Sequence, residues 1–227
     1  MAGFVKVATL AEIQENEGKL VNVNGTEVAL FRSGANVYAV RNICPHKGGP
    51  LGEGEIQGTV VTCPWHGWEF DLADAGKCTM NDIIEEEGGF VYKYIGYAIV
   101  AVFGAPADDP GHAASAVRAA LRCRQRLEEI NASVEPFKSR PVGQRIGLNS
   151  GEVLVGNIGS RRRFNYTVMG DAVNLASRLE GANKYFGTSI MAAQATVDLA
   201  GPTFAWRELD WIRVKGRDQP VRIYEAL

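Results

Sequence analysis

Two short stretches concentrate the residues able to hold a metal. Cys44-Pro45-His46 and Cys63-Pro64-Trp65-His66 each place a thiol close to an imidazole, with sixteen residues between His46 and Cys63. Two thiolates and two imidazoles meet the donor count of tetrahedral zinc, and the spacing permits it. The surroundings point elsewhere. Each pair opens into a glycine-rich or glycine-containing loop, HKGGPLGEG and HGWEF. Glycine lets backbone N–H groups approach an inorganic sulfide where a side chain would not fit. The other cysteines, Cys78 and Cys123, have no regularly spaced histidine partners. Cys123 falls on the apolar side of a helical pattern and reads as a small core residue.

The second half carries a different chemistry. Asn174 and Arg178 lie four residues apart in NLASR, so on a helix they share one face. Asp171 precedes that helix and reads as its N-cap. Arg161-Arg162-Arg163 reads as a solvated turn, and Asp82 with Glu85, Glu86 and Glu87 as a solvated helix end.

The elements that must position these residues change character near residue 78. Before it, Phe4–Val7, Lys19–Val23, Val28–Phe31, Val37–Val40, Gly58–Thr62 and Trp68–Leu72 read as strands, with Asn24-Gly25 and Ser33-Gly34 among the turns. After it, Asn81–Gly89 reads as a helix end stopped by glycine. FVYKYIGYAIVAVFGAP (90–106) reads as a hairpin turning at Gly96-Tyr97, and 112–130 as an amphipathic helix. Gln144–Ile158 reads as a strand pair around Asn149-Ser150-Gly151, followed by a helix after Gly170-Asp171 and strands through Trp211–Lys215 and Val221–Tyr224. The expected organisation is an all-β domain, residues 1–78, and an α/β domain, residues 79–227.

The chain has 227 residues, 46% hydrophobic and 22% charged, with a formal net charge of −2. That composition supports a folded core and gives no general attraction to nucleic acid. No apolar run approaches the roughly 20 residues that span a bilayer, and the start, MAGFVKVATLAEIQ, lacks the pattern of a secretory signal. A soluble, cytoplasmic protein without membrane or nucleic-acid partners is the expectation.

CPHKGGPL followed by CPWHGWEFDL resembles the Rieske [2Fe–2S] ferredoxins over residues 3–77. The resemblance implies a [2Fe–2S] cluster, with Cys44 and Cys63 on one iron and His46 and His66 on the redox-active other, and a redox partner protein. The extra loop cysteines of the high-potential members are absent. The soluble ferredoxin or oxygenase-associated type is implied. A complete dioxygenase is not, because His112 is the one remaining histidine.

KYIGYAIVAVFGAP, GLNSGEVLVGNIGSRRRFNYTVMGDAVNLASRLE and WIRVKGR resemble the class III adenylate/guanylate cyclase catalytic domain, an α/β, ferredoxin-like fold. The resemblance implies that Asn174 and Arg178 stabilise the transition state, that Lys215 engages the terminal phosphates, and that Lys93 and Thr167 recognise adenine. ATP with Mg²⁺ or Mn²⁺ would be the ligand, and a homodimer, or a heterodimer with a complete cyclase, the assembly. The family's metal-binding aspartates are missing. Tyr97 stands at the second, where a phenol of ordinary pKa near 10 replaces a hard carboxylate. The segment that would carry the first, FxDIxGFT, has no counterpart. The cyclase domain is therefore expected to be incomplete, and the Rieske domain also lacks its usual closing strand pair. Three readings follow: electron transfer or redox sensing beside a noncatalytic cyclase-like domain, a redox-regulated adenylate cyclase, or a recombined fragment with no preserved cyclase role.

Overall fold

The computed structural model describes residues 5–45, 47–74, 76–95, 98–134, 137–160, 163–214 and 219–227. The chain forms two compact units. One holds the residues up to Asp82 together with Ala98 and Glu129–Val142; the other holds Ile83–Ile95, Ile99–Glu128 and Gly143–Leu227.

The first unit is all-β through Cys78. Strands β1 (Gly18–Val23), β2 (Thr26–Ser33) and β3 (Asn36–Arg41) form one antiparallel meander. Its first turn follows from sequence: Asn24 (φ 52°) and Gly25 (φ 84°) both take the left-handed conformation that a two-residue hairpin requires. Strands β4 (Glu55–Gln57), β5 (Val60–Thr62), β6 (Glu69–Asp71) and β7 (Lys77–Cys78) form a second antiparallel sheet. Phe31, Val61 and Cys63 are fully buried in this unit. The expected strand at Phe4–Val7 is not formed over its described residues. Val5 and Val7 are exposed coil: their side chains gain little burial to hold a strand, and the chain enters a single helical turn at Leu10–Glu12 before β1 begins.

Helix α1 (Thr79–Glu86) follows directly, then β8 (Gly89–Ile95) and β9 (Ala98–Phe103), which pair with each other. The expected turn residues Gly96 and Tyr97 lie outside the described residues. Helix α2 (His112–Ser133) matches the amphipathic pattern, with Val117, Cys123, Leu127 and Ile130 buried.

The second unit centres on a four-stranded sheet in the order β10–β13–β15–β14, from β10 (Ile146–Leu148), β13 (Ile190–Ala193), β14 (Trp206–Ile212) and β15 (Val221–Ala226). Between them in sequence lie the hairpin β11 (Leu154–Ser160) with β12 (Arg163–Met169), helix α3 (Asp171–Phe186) and helix α4 (Gln194–Ala200). Every residue of β13 is buried, as a strand covered on both faces requires. Ile190 packs with Val117 and Ala120 of α2 on one face; Met191 packs with Leu175 and Leu179 of α3 on the other.

The expected strand pair at 144–158 is corrected. β10 runs parallel to β13, and β11 pairs with β12. The intervening residues are drawn elsewhere: Asn149 Nδ2 donates to the Ala172 carbonyl at 3.0 Å, and the Ser150 and Thr196 hydroxyls share a hydrogen bond at 3.1 Å. Those contacts remove the tight turn that a hairpin would need. Asp171 is likewise not the N-cap. Gly170 occupies that position without a side-chain cap bond, and Asp171 begins the helix as an acidic first-turn residue, where the helix dipole favours it.

Candidate functional site

The two metal loops are built alike. In the first, the Gly48 N–H donates to the Cys44 carbonyl at 2.8 Å, and the Cys44 N–H donates to the Gly49 carbonyl at 2.8 Å. In the second, the Gly67 N–H donates to the Cys63 carbonyl at 3.0 Å, and the Cys63 N–H donates to the Trp68 carbonyl at 2.7 Å. The fourth residue after each cysteine is a glycine with positive φ, 74° at Gly48 and 72° at Gly67. That is the conformation which lets the chain close so tightly. The loops thus present Cys44 and Cys63 in equivalent settings, and both cysteines are buried.

Neighbouring groups shift the ionisation of these side chains. The Cys63 thiol is brought down to about 7, chiefly by a hydrogen bond from Cys44; burial opposes this, and the N–H groups of Trp65 and His66 assist. Burial, and secondly the charge of Lys47, lower the pKa of His66, which favours neutral imidazole. Trp65 and His66 meet edge to face at 6.4 Å.

The space around the sulfurs is equally specific. A Cβ on Gly49 would fall 2.8 Å from Cys63 Sγ and 3.1 Å from the Trp65 ring. Buried thiols, backbone N–H groups turned to sulfur and a glycine-lined cradle fit a [2Fe–2S] group. Among the described residues no three His, Cys, Asp or Glu side chains converge as a single-ion site. His46 lies outside the described residues. Cys78 is buried with its thiol pushed up to about 11, mainly by desolvation, which favours the protonated form over a metal-binding thiolate.

The nucleotide-type residues are spread over three elements. Lys93 is exposed on β8, and half-buried Thr167 sits on β12, opposite Gly156 of β11. β8 and β12 lie in contact, so the structure brings these two strands together. Asn174 is exposed and Arg178 half-buried on α3, one turn apart as expected. Among the described residues, Arg178 Nη1 is buried without a hydrogen-bond partner. Lys215 lies outside the described residues, as do Tyr97, Arg161 and Arg162.

Two residues with no part in the candidate chemistry set the position of α3. Gly147 of β10 allows the helix backbone to lie against the strand, since a Cβ there would fall 2.0 Å from the Ala176 carbonyl oxygen. Asn183 is fully buried. Its Nδ2 donates to the Ile146 and Leu179 carbonyls at 3.0 Å each, and its Oδ1 accepts from the Thr188 hydroxyl at 2.7 Å. An asparagine inside NKYFGT gives no spacing signal; a buried amide is recognised by its partners.

Comparison with known families agrees with both halves. The family model for the adenylate and guanylate cyclase catalytic domain matches residues 76–224. The chain belongs to that family, and it carries a Rieske [2Fe-2S] domain ahead of it, matched over residues 3–87. Adenylate cyclase 1 of Rhizobium meliloti (strain 1021) is 35% identical over 147 residues, 65% of this chain and 22% of that protein. The adenylate cyclase of Anabaena cylindrica is 39% identical over 154 residues, 65% of this chain and 30% of that protein. The chain therefore spans less than a third of the length of these relatives. The crystal structure of the guanylyl cyclase Cya2 is similar with a TM-score of 0.56 and 34% identity, covering 65% of this chain and 74% of its own. The Rieske domain implies a [2Fe–2S] cluster. No described helix is long and apolar enough to cross a membrane.

Proposed function

We propose that the first unit holds a [2Fe–2S] cluster for electron transfer or redox sensing, while the second unit binds nucleotide or dimerises without cyclising ATP by itself. Cys44 and Cys63 would bind one iron, and His46 and His66 the other. The observation that carries this reading is the matched pair of closed loops around two buried cysteines. When bound, the cluster takes up and releases one electron. The chain's own groups tune it: the N–H groups of Trp65 and His66 donate to the Cys63 sulfur and stabilise negative charge there. Gly49 keeps side-chain atoms out of the space beside that sulfur.

In the second unit, cyclisation would require in-line attack by the ribose 3′-oxygen and neutralisation of charge around phosphorus. Asn174 would orient the ribose and Arg178 would stabilise the phosphoryl oxygens, with Lys215 on the terminal phosphates and Lys93 and Thr167 at the base. The carboxylates that would hold Mg²⁺ or Mn²⁺ are what the chain lacks, with Tyr97 in the place of one.

One observation favours a second reading, a redox-regulated adenylate cyclase. Arg178 Nη1 is buried without a hydrogen-bond partner among the described residues, on the face shared with Asn174, a state suited to receiving a phosphoryl oxygen. A complete cyclase partner would have to supply the metal carboxylates, because a second copy of this chain lacks the same ones.

The test is anaerobic purification, assay of iron and acid-labile sulfide, and reductive titration, followed by incubation with ATP or GTP and Mn²⁺ in both redox states. Equal iron and sulfide, bleaching on reduction and no cyclic nucleotide are expected. Cyclic product from the pure protein that disappears in Arg178→Ala overturns the noncatalytic assignment. Product that arises after a complete cyclase is added, and depends on Arg178, establishes the second reading.

A further inference from the structure

Gly67 ends the second metal loop beside His66, at a φ of 72°. A Cβ placed there would lie 3.3 Å from Ile130 Cγ2, 3.4 Å from Val142 Cγ2 and 3.6 Å from a ring carbon of Phe137. All three neighbours come from residues 129–142, which belong to the first compact unit although they fall within the stretch matching the cyclase family. Ile130, Val134 and Phe137 are 1%, 4% and 2% exposed, so the segment has an apolar core side.

Its ends are fastened by one side chain. Asn131 Nδ2 donates to the Val142 carbonyl at 2.8 Å, and the Val142 N–H donates to Asn131 Oδ1 at 2.9 Å. This amide clasp joins the last turn of α2 to the returning chain and holds Val142 near Gly67. An apolar layer against a metal loop limits water access and restricts the orientation of the adjacent imidazole, both of which tune a bound group.

We propose that residues 129–142 complete the metal-binding unit. Ile130, Phe137 and Val142 are positioning residues that act on His66 through Gly67, and Asn131 locks them in place. The proposal rests on the Rieske reading for its effect on a cluster, but the packing itself is testable without one.

The experiment uses the full-length protein carrying Phe137→Ala, Phe137→Leu, Val142→Ala or Asn131→Ala. Site-resolved hydrogen exchange should quicken about tenfold or more at the Cys63 and Gly67 amides in Phe137→Ala and Asn131→Ala, while β13 and β15 keep their protection. Phe137→Leu should restore most of the protection. In cluster-loaded protein, the alanine variants should shift the electron paramagnetic resonance signal of the reduced cluster and its midpoint potential. They should also speed iron loss to a chelator by about tenfold. If Phe137→Ala does not fold, Asn131→Ala and Val142→Ala, both at half-buried sites, decide the matter. Unchanged exchange at Cys63 and Gly67, or changed exchange with an unaltered resonance signal and potential, overturns the proposal. Faster exchange in protein that takes up no iron retains the packing assignment and defeats the cluster reading.

Discussion

In the first unit the candidate chemistry is held by two copies of one local device, a cysteine whose carbonyl accepts from a left-handed glycine four residues later. In the second unit Lys93, Thr167, Asn174 and Arg178 come from β8, β12 and α3, and their placement depends on how a helix sits on a sheet. A local device keeps its geometry through short-range backbone hydrogen bonds. A dispersed site inherits every error in packing, so the residues that matter most for it include some with no chemistry of their own, such as Gly147 and Asn183.

The largest effect that would test this contrast is loss of the local device. Cys63→Ser should abolish the visible absorption of the reconstituted cluster while far-UV circular dichroism is retained; absorption of normal intensity would break the first half of the comparison. Next comes the packing on which the dispersed site depends. Leu179 is fully buried between α3 and the sheet, and Leu179→Ala should lower stability by about 2–5 kcal/mol in urea unfolding. A loss under about 1 kcal/mol would mean that α3 is not anchored there. Asn183→Ala should cost about 1–3 kcal/mol, because the Thr188 hydroxyl and the Ile146 carbonyl lose a buried partner.

The smallest effect concerns the surface. The Arg118 Nε hydrogen bond, opposed by burial and aided by Arg122, holds the Glu87 carboxyl below the ordinary carboxylate range. A lowered folded-state pKa contributes stability that is present above the unfolded value and lost as pH falls through the folded one. Glu87→Gln should therefore destabilise at neutral pH and converge with the wild type in acid. The cost should stay below about 1 kcal/mol, since Arg118 and Arg122 are 49% and 42% exposed and screened by solvent. A difference that grows in acid would refute the assignment.

What sequence revealed follows the same division. The Asn24-Gly25 turn and the amphipathic run of α2 are short-range signals, and both have the expected form. The 144–158 region misled because its apolar runs state that strands exist but not which strands they join; Asn149 and Ser150 spend their side chains on residues far along the chain. Gly170 displaced Asp171 from the cap because a cap is defined by backbone geometry, which residue preference only suggests. The contribution of residues 129–142 to the first unit was hidden for a related reason. Ile130 fits the helical period, and nothing in that period says which surface its face will meet.

That last feature also governs the order of events during synthesis. The first unit has its continuous part in hand once Asp82 is made, yet its final segment ends at Val142, sixty residues later. At roughly 5–20 residues per second, a ribosome needs about 3–12 s to deliver them. For that interval the face of the Gly67 loop is without its apolar cover.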